Sequence, residues 1–164
     1  LSAVPPVTMA PPIPGITGGT ANGTTTVTVT TDSPAGYELS IAASDNPAMQ
    51  KGGDSIADYA PLGDPDFIFT TGASDAHFGY SPSGADIVGR FKDDGGACNT
   101  GSFDSDLACW DGLSIADAVI AGSAGPNVPS GTVTTLHFRL SIGSSVVQAS
   151  GTYTATTTLT ALAI

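Results

Sequence analysis

The final fifth of the chain imposes the strongest constraint on its fold. From Thr132 it reads TVTTLHFRLSI, then GSSVVQAS, then GTYTATTTLTALAI. In the first segment Leu136, Phe138, Leu140 and Ile142 alternate with His137, Arg139 and Ser141. Strict period-two alternation marks a strand with one buried and one wet face. On this reading His137 points outward as a surface histidine. The last segment sets Tyr153, Ala155, Thr157, Leu159 and Ala161 against Thr152, Thr154, Thr156, Thr158 and Thr160. β-Branched threonine suits a pleated, exposed face. Two long strands joined by a Gly/Ser-rich loop predict an antiparallel hairpin whose apolar face the rest of the chain must cover.

A second alternating pair lies upstream. TTTVTVTT from Thr24 presents Val27 and Val29, and Tyr37–Ala43 presents Tyr37, Leu39 and Ile41. Between them DSPAG turns the chain, since Pro34 fixes φ and Gly36 tolerates φ > 0. That spacing predicts another hairpin. Residues 45–65 read as a loop with satellite packing from Ile56, Tyr59 and Leu62. Asp66–Thr71 and His77–Tyr80 read as short strands, and residues 113–121 as either a strand pair or a short helix. Seven or eight short strands with regular turns are the pattern of an antiparallel β-sandwich. A chain of 164 residues can bury one such core, so 24–164 is expected to form a single domain with a disulfide loop near 92–112.

Residues 1–23 differ in kind. Pro5, Pro6, Pro11, Pro12 and Pro14 cannot donate to a sheet ladder, so an ordinary central strand is excluded. Val4, Val7, Met9, Ile13 and Ile16 are nevertheless too apolar for a solvated linker. An extended arm with apolar teeth must dock, either on its own domain or, by strand addition, on a neighbouring copy. Asn22-Gly23-Thr24 also fits the acceptor triplet for N-glycosylation.

Charge narrows the partners. Fourteen Asp and one Glu against four Lys or Arg give a net charge of −11, which disfavours nucleic acid and anionic membrane surfaces. No apolar run reaches the length of a membrane-spanning helix, so membrane insertion is not expected. The chain starts at Leu1, consistent with a secreted form whose leader has been removed. Cys98 and Cys109 have no metal-ligand spacing, and a disulfide in an oxidising compartment is expected.

Chemistry-bearing constellations are sparse, and neither enzymatic activity nor a cofactor is expected. No nucleophile elbow occurs. The pairs Asp64/Asp66, Asp93/Asp94 and Asp104/Asp106 supply carboxylates, but Asp is first a turn residue. Asp104, Asp106 and Asp111, or Asp93 and Asp94, could offer hard oxygens to calcium without EF-hand spacing. Trp110, Tyr80 and Phe78 could form a stacking platform for glycans, or be buried beside the disulfide.

Three patches carry a resemblance. VTVTTDSPAGYELSIAAS resembles the opening "TVTTNxPxGYxLSI" of bacterial secreted surface domains, and HFGY their short central aromatic strand. VVQASGTYTATTTLTALA is similar to their closing "AGTYTxTVTxTA", which recurs in spore-coat-U-like and other fimbrial-type subunits. The resemblance implies an immunoglobulin-like domain at the cell surface, without enzymatic activity. Taken with the arm, it predicts a subunit of an extracellular filament whose partners are copies of itself. A monomeric adhesin or carbohydrate-binding module is the alternative.

Overall fold

The computed structural model describes residues 1–164 and is all-β. Its strands are β1 (Gly19–Val29), β2 (Tyr37–Ala43), β3 (Met49–Lys51), β4 (Asp54–Asp58), β5 (Ala76–Ser83), β6 (Ala118–Ser123), β7 (Thr132–Ile142) and β8 (Thr157–Ala163). They form a five-stranded sheet, β1-β7-β5-β4-β3, and a three-stranded sheet, β6-β2-β8. Pairing is antiparallel except between β4 and β5. The two sheets enclose one core, as in a β-sandwich. It joins Val27, Val29, Phe78, Tyr80, Leu136 and Phe138 from the larger sheet to Tyr37, Leu39, Ile41 and Ile120 from the smaller.

Neither expected hairpin forms. β7 pairs with β1 on one side and β5 on the other, whereas β8 pairs with β2 in the opposite sheet. Residues 143–156 therefore cross between sheets rather than turn within one. The same holds for β1 and β2, which 30–36 carry into different sheets. Alternation specifies which side chains point at the core, and a core between two sheets accepts them from either side. The faces are as read from the sequence, and the pairings are not.

Other boundaries also shift. β1 starts at Gly19, so Asn22 and Gly23 are strand residues. Residues 45–65 contain β3 and β4; Ile56 and Tyr59 are buried, but Leu62 is fully exposed. Asp66–Thr71 is not a strand: only Asp66 bridges, to Trp110. Within 113–121 a strand, β6, begins at Ala118.

A further layer covers the outer face of the larger sheet. Tyr59, Phe69 and Trp110 form their own buried cluster there. Gly79 in β5 makes room for it: a Cβ at that position would lie 2.8 Å from the Tyr59 Cβ and 2.7 Å from the Asp111 carbonyl oxygen. This layer overturns the surface reading of His137. The residue does face outward on β7, yet it is only 8% exposed, with Ser83 and the loop residue Asp106 against its ring.

Candidate functional site

The arm reverses at a turn over residues 15–17 and returns antiparallel along β1. Ala10 exchanges both backbone bonds with Asn22, at 2.9 and 2.7 Å, and the Ser2 N–H donates to the Thr28 carbonyl at 2.9 Å. Between these points Pro5 and Pro6 have no N–H, so no continuous ladder forms. Side chains hold the arm instead. Val4, Val7, Met9 and Ile13 are half-buried against the core, whereas Ile16 is 78% exposed and takes no part. Gly23 is the notch: a Cβ there would sit 2.3 Å from Val7 Cγ1 and 2.9 Å from Met9 Sδ.

The seal is incomplete. A groove of about 930 Å³ runs between residues 1–9 and 152–159, over a floor of Thr25, Met49, Phe78, Leu136 and Phe138. None of its lining side chains is charged. The Thr25 hydroxyl is buried there without a partner. A smaller cavity of about 250 Å³ shares Met9, Met49 and Tyr153 with it and continues toward residues 148–151. The inward row of the last segment, Tyr153 to Ala161, is accordingly only half-buried, although its alternation with exposed threonines is as expected. The degree of burial of a face is set by what lies opposite, and period alone does not encode that.

The disulfide between Cys98 and Cys109 is formed, with Cα atoms 5.6 Å apart. Its loop is organised by Asp93, which is fully buried. The Asp93 carboxylate accepts from the Gly95 N–H at 2.8 Å and from the Ser105 N–H and hydroxyl, both at 3.2 Å. Trp110 follows directly, its indole N–H donating to the Leu107 carbonyl at 2.9 Å. The Arg139 guanidinium lies 4.4 Å from the indole centroid, and its Nε–H donates to Asn22 Oδ1 at 2.8 Å. Asn22, the glycosylation candidate, is itself exposed. Trp110, Tyr80 and Phe78 are all buried, so they offer no stacking platform.

The calcium candidates are held apart. Asp111 pairs with Arg90 at 2.8 Å, Asp106 accepts from Ser83 at 2.5 Å, and no group of three or more potential ligands converges. Asp93 and Asp94 serve turns, Asp94 accepting from the Gly96 and Ala97 N–H groups.

Ser83, His137 and Asp106 meet, a trio the sequence did not signal because its members lie on β5, β7 and a loop. Its wiring is not that of an activated serine, in which histidine takes the hydroxyl proton and a carboxylate holds the other ring nitrogen. Here Ser83 donates to Asp106, so His137 Nε2 is the donor in its 3.1 Å contact with Ser83. Nδ1 faces Thr24 Oγ1 at 3.4 Å. Ser83 is also buried. The trio ties the disulfide loop to the sheet.

A pH dependence follows from that tie. The Ser83 hydroxyl, and after it the neighbouring His137, hold the Asp106 carboxyl below the usual carboxylate range. The folded-state group is thus more acidic than in the unfolded chain, where its pKa is about 3.9. Its contribution is complete above the unfolded value and is lost as pH falls through the folded one. Urea unfolding between pH 7 and pH 2 should show a shallower acid loss for Asp106→Asn than for the parent chain. Parallel curves would remove Asp106 from the linkage.

No family model matches this chain, and no curated protein or solved structure shows significant similarity to it.

Proposed function

We propose that this protein is a non-catalytic structural subunit of an extracellular filament, an immunoglobulin-like sandwich that joins its neighbours by exchanging the N-terminal arm. The carrying observation is the arm's mode of attachment. It is held by two short sets of backbone bonds and four half-buried side chains, and it is followed by a glycine-rich turn, Gly15 to Gly19. Opening that turn would let the same side chains seat in the Gly23 notch of another copy, with every contact retained. Exchange of identical elements is a low-cost route to assembly, and a head-to-tail contact that does not close forms a fibre.

The resemblance to secreted surface and fimbrial-type domains, the disulfide and the dense threonine faces agree with an extracellular setting. With the three large aromatics buried, the glycan-binding alternative has no stacking surface among them.

Arm exchange is tested by mixing Val7→Cys with Gly23→Cys under oxidising conditions. The substituted cysteine at 23 also displaces its own arm, because its Cβ occupies the position of Val7. A covalent heterodimer is expected, together with filaments in negative stain that vanish when residues 1–14 are deleted. Monomers alone, from both the full and the shortened chain, would overturn the reading.

A further inference from the structure

Two open sheets have four edges, and three of these are met by another segment of the chain, fully or in part. β1 is flanked by the arm. β3 is capped by Thr154, which exchanges backbone bonds with Gln50 at 2.9 and 2.8 Å. β6 is met by residues 86–88, the Val88 N–H donating to the Ile120 carbonyl at 3.0 Å and the Gly122 N–H to the Asp86 carbonyl at 2.8 Å. β8 alone pairs on one side only.

The bonds Ser44 N–H to Thr156 C=O and Ile164 N–H to Gly36 C=O fix which residues face β2. Even-numbered residues of β8 point their backbone groups at β2, because hydrogen-bonded pairs alternate along an antiparallel ladder. Thr157, Leu159, Ala161 and Ala163 therefore direct theirs outward, where no backbone partner meets them. Exposed edges are ordinarily blunted by charge, proline or a bulge. β8 reads TTLTALA in unbroken register, with none of these.

We infer that the β8 edge and the groove beneath it form an acceptor site for one extended segment of another polypeptide, added as a fourth strand to the smaller sheet. Outward N–H and C=O groups select a backbone rather than a lipid or a sugar. A groove without a charged side chain, in a chain of net charge −11, selects an uncharged segment. Its inward side chains would fill the space over Thr25 and Phe138.

The segment is not the arm. A strand against Thr157 to Ala163 must present N–H groups at alternate positions, and the arm meets proline in either register: Pro5 and Pro11 in one, Pro6, Pro12 and Pro14 in the other. The site takes a proline-free strand of alternating apolar and small polar residues, laid between β8 and the docked arm, whose residues 1–9 form the other wall of the groove.

The probe is the synthetic octapeptide TTTVTVTT, the sequence of residues 24–31, titrated into the isotope-labelled full chain. Amide exchange at Thr157, Leu159, Ala161 and Ala163 should slow by about tenfold or more at saturation. Backbone N-methylation of alternate probe residues should abolish the effect in one register and spare it in the other. Ala161→Pro should abolish it while leaving the melting curve nearly unchanged, since that N–H has no partner to lose. The peptide LSAVPPVTMAPPIPG, residues 1–15, should give no such slowing. Amides that are already protected without peptide, exchange that the octapeptide leaves unaltered, or equal protection by the arm peptide would each overturn the site. Docking of a neighbour's arm at the Gly23 notch is read independently, by the Val7→Cys and Gly23→Cys cross-link.

Discussion

Replacing Trp110 with alanine is expected to destabilise the fold by about 4 kcal/mol, the largest effect of any single truncation outside the central core. Trp110 is completely buried. It meets Phe69 edge-on with centroids 5.3 Å apart and carries Arg139 on its face. Removing the indole opens a cavity over β7, strips the cover from Arg139 and leaves the Leu107 carbonyl without its donor. For a domain of this size the melting temperature should fall by roughly 10 °C. Phe69→Leu, which keeps most of the volume, should cost about 1 kcal/mol. Leu62→Ala should cost nothing measurable, because that side chain is fully exposed. Urea unfolding followed by circular dichroism gives all three values. A Trp110→Ala loss under 1 kcal/mol would mean that the outer layer does not share in the cooperative unit.

That layer marks the boundary of what the sequence makes legible. Period-two alternation identified the inward faces of β1, β2, β7 and β8, because each points at one core. It could not assign sheets, since a sandwich buries the same pattern from either side. It also misplaced His137. The inference from alternation to solvent holds only where the outer face is bare, and the segments that carry Tyr59, Phe69, Asp106 and Trp110 cover it here. Those segments show no period because irregular loops are held by particular bonds: Asp93 to Gly95 and Ser105, Trp110 to Leu107, Asp66 to Trp110.

The docking site showed the same mixture. The arm's apolar teeth were visible as residues with no reason to be solvated, and four of the five touch the core in this single chain. Ile16 falls in the turn that reverses the arm, a position that proline and glycine spacing did not distinguish from the run before it. The groove lining, including Thr25 and Met49, carried no signal at all. A gap is defined by what two sheets of unequal width leave uncovered, and strand counts per sheet are not written in a local pattern.

Removing the disulfide gives the second large effect. In the chain-entropy description, closing a loop of 11 residues' separation stabilises by about 3 kcal/mol, so Cys98→Ala with Cys109→Ala should lose about that much. The variant should still fold, because the Asp93–Phe103 backbone pair and the buried indole remain to shape the loop. Asn99, Leu107 and Cys109 are the only non-glycine residues with positive φ, at 60°, 60° and 58°, and all lie within the closed segment. Each such residue costs on the order of 1 kcal/mol. The cross-link holds the segment in that geometry. Without it, relaxation of these three positions should speed amide exchange at Phe103 and Asn99 well before it reaches β7. Coupling to the indole supplies the sharper test, since Cys109 and Trp110 are adjacent in the chain. If the loop already opens when the cross-link is absent, Trp110→Ala has less left to lose. The triple variant should then fall short of the summed single effects by about 1 kcal/mol or more. Strict additivity would instead mean that the cross-link constrains only its own loop, and that Trp110 is held by Phe69 and Arg139 alone.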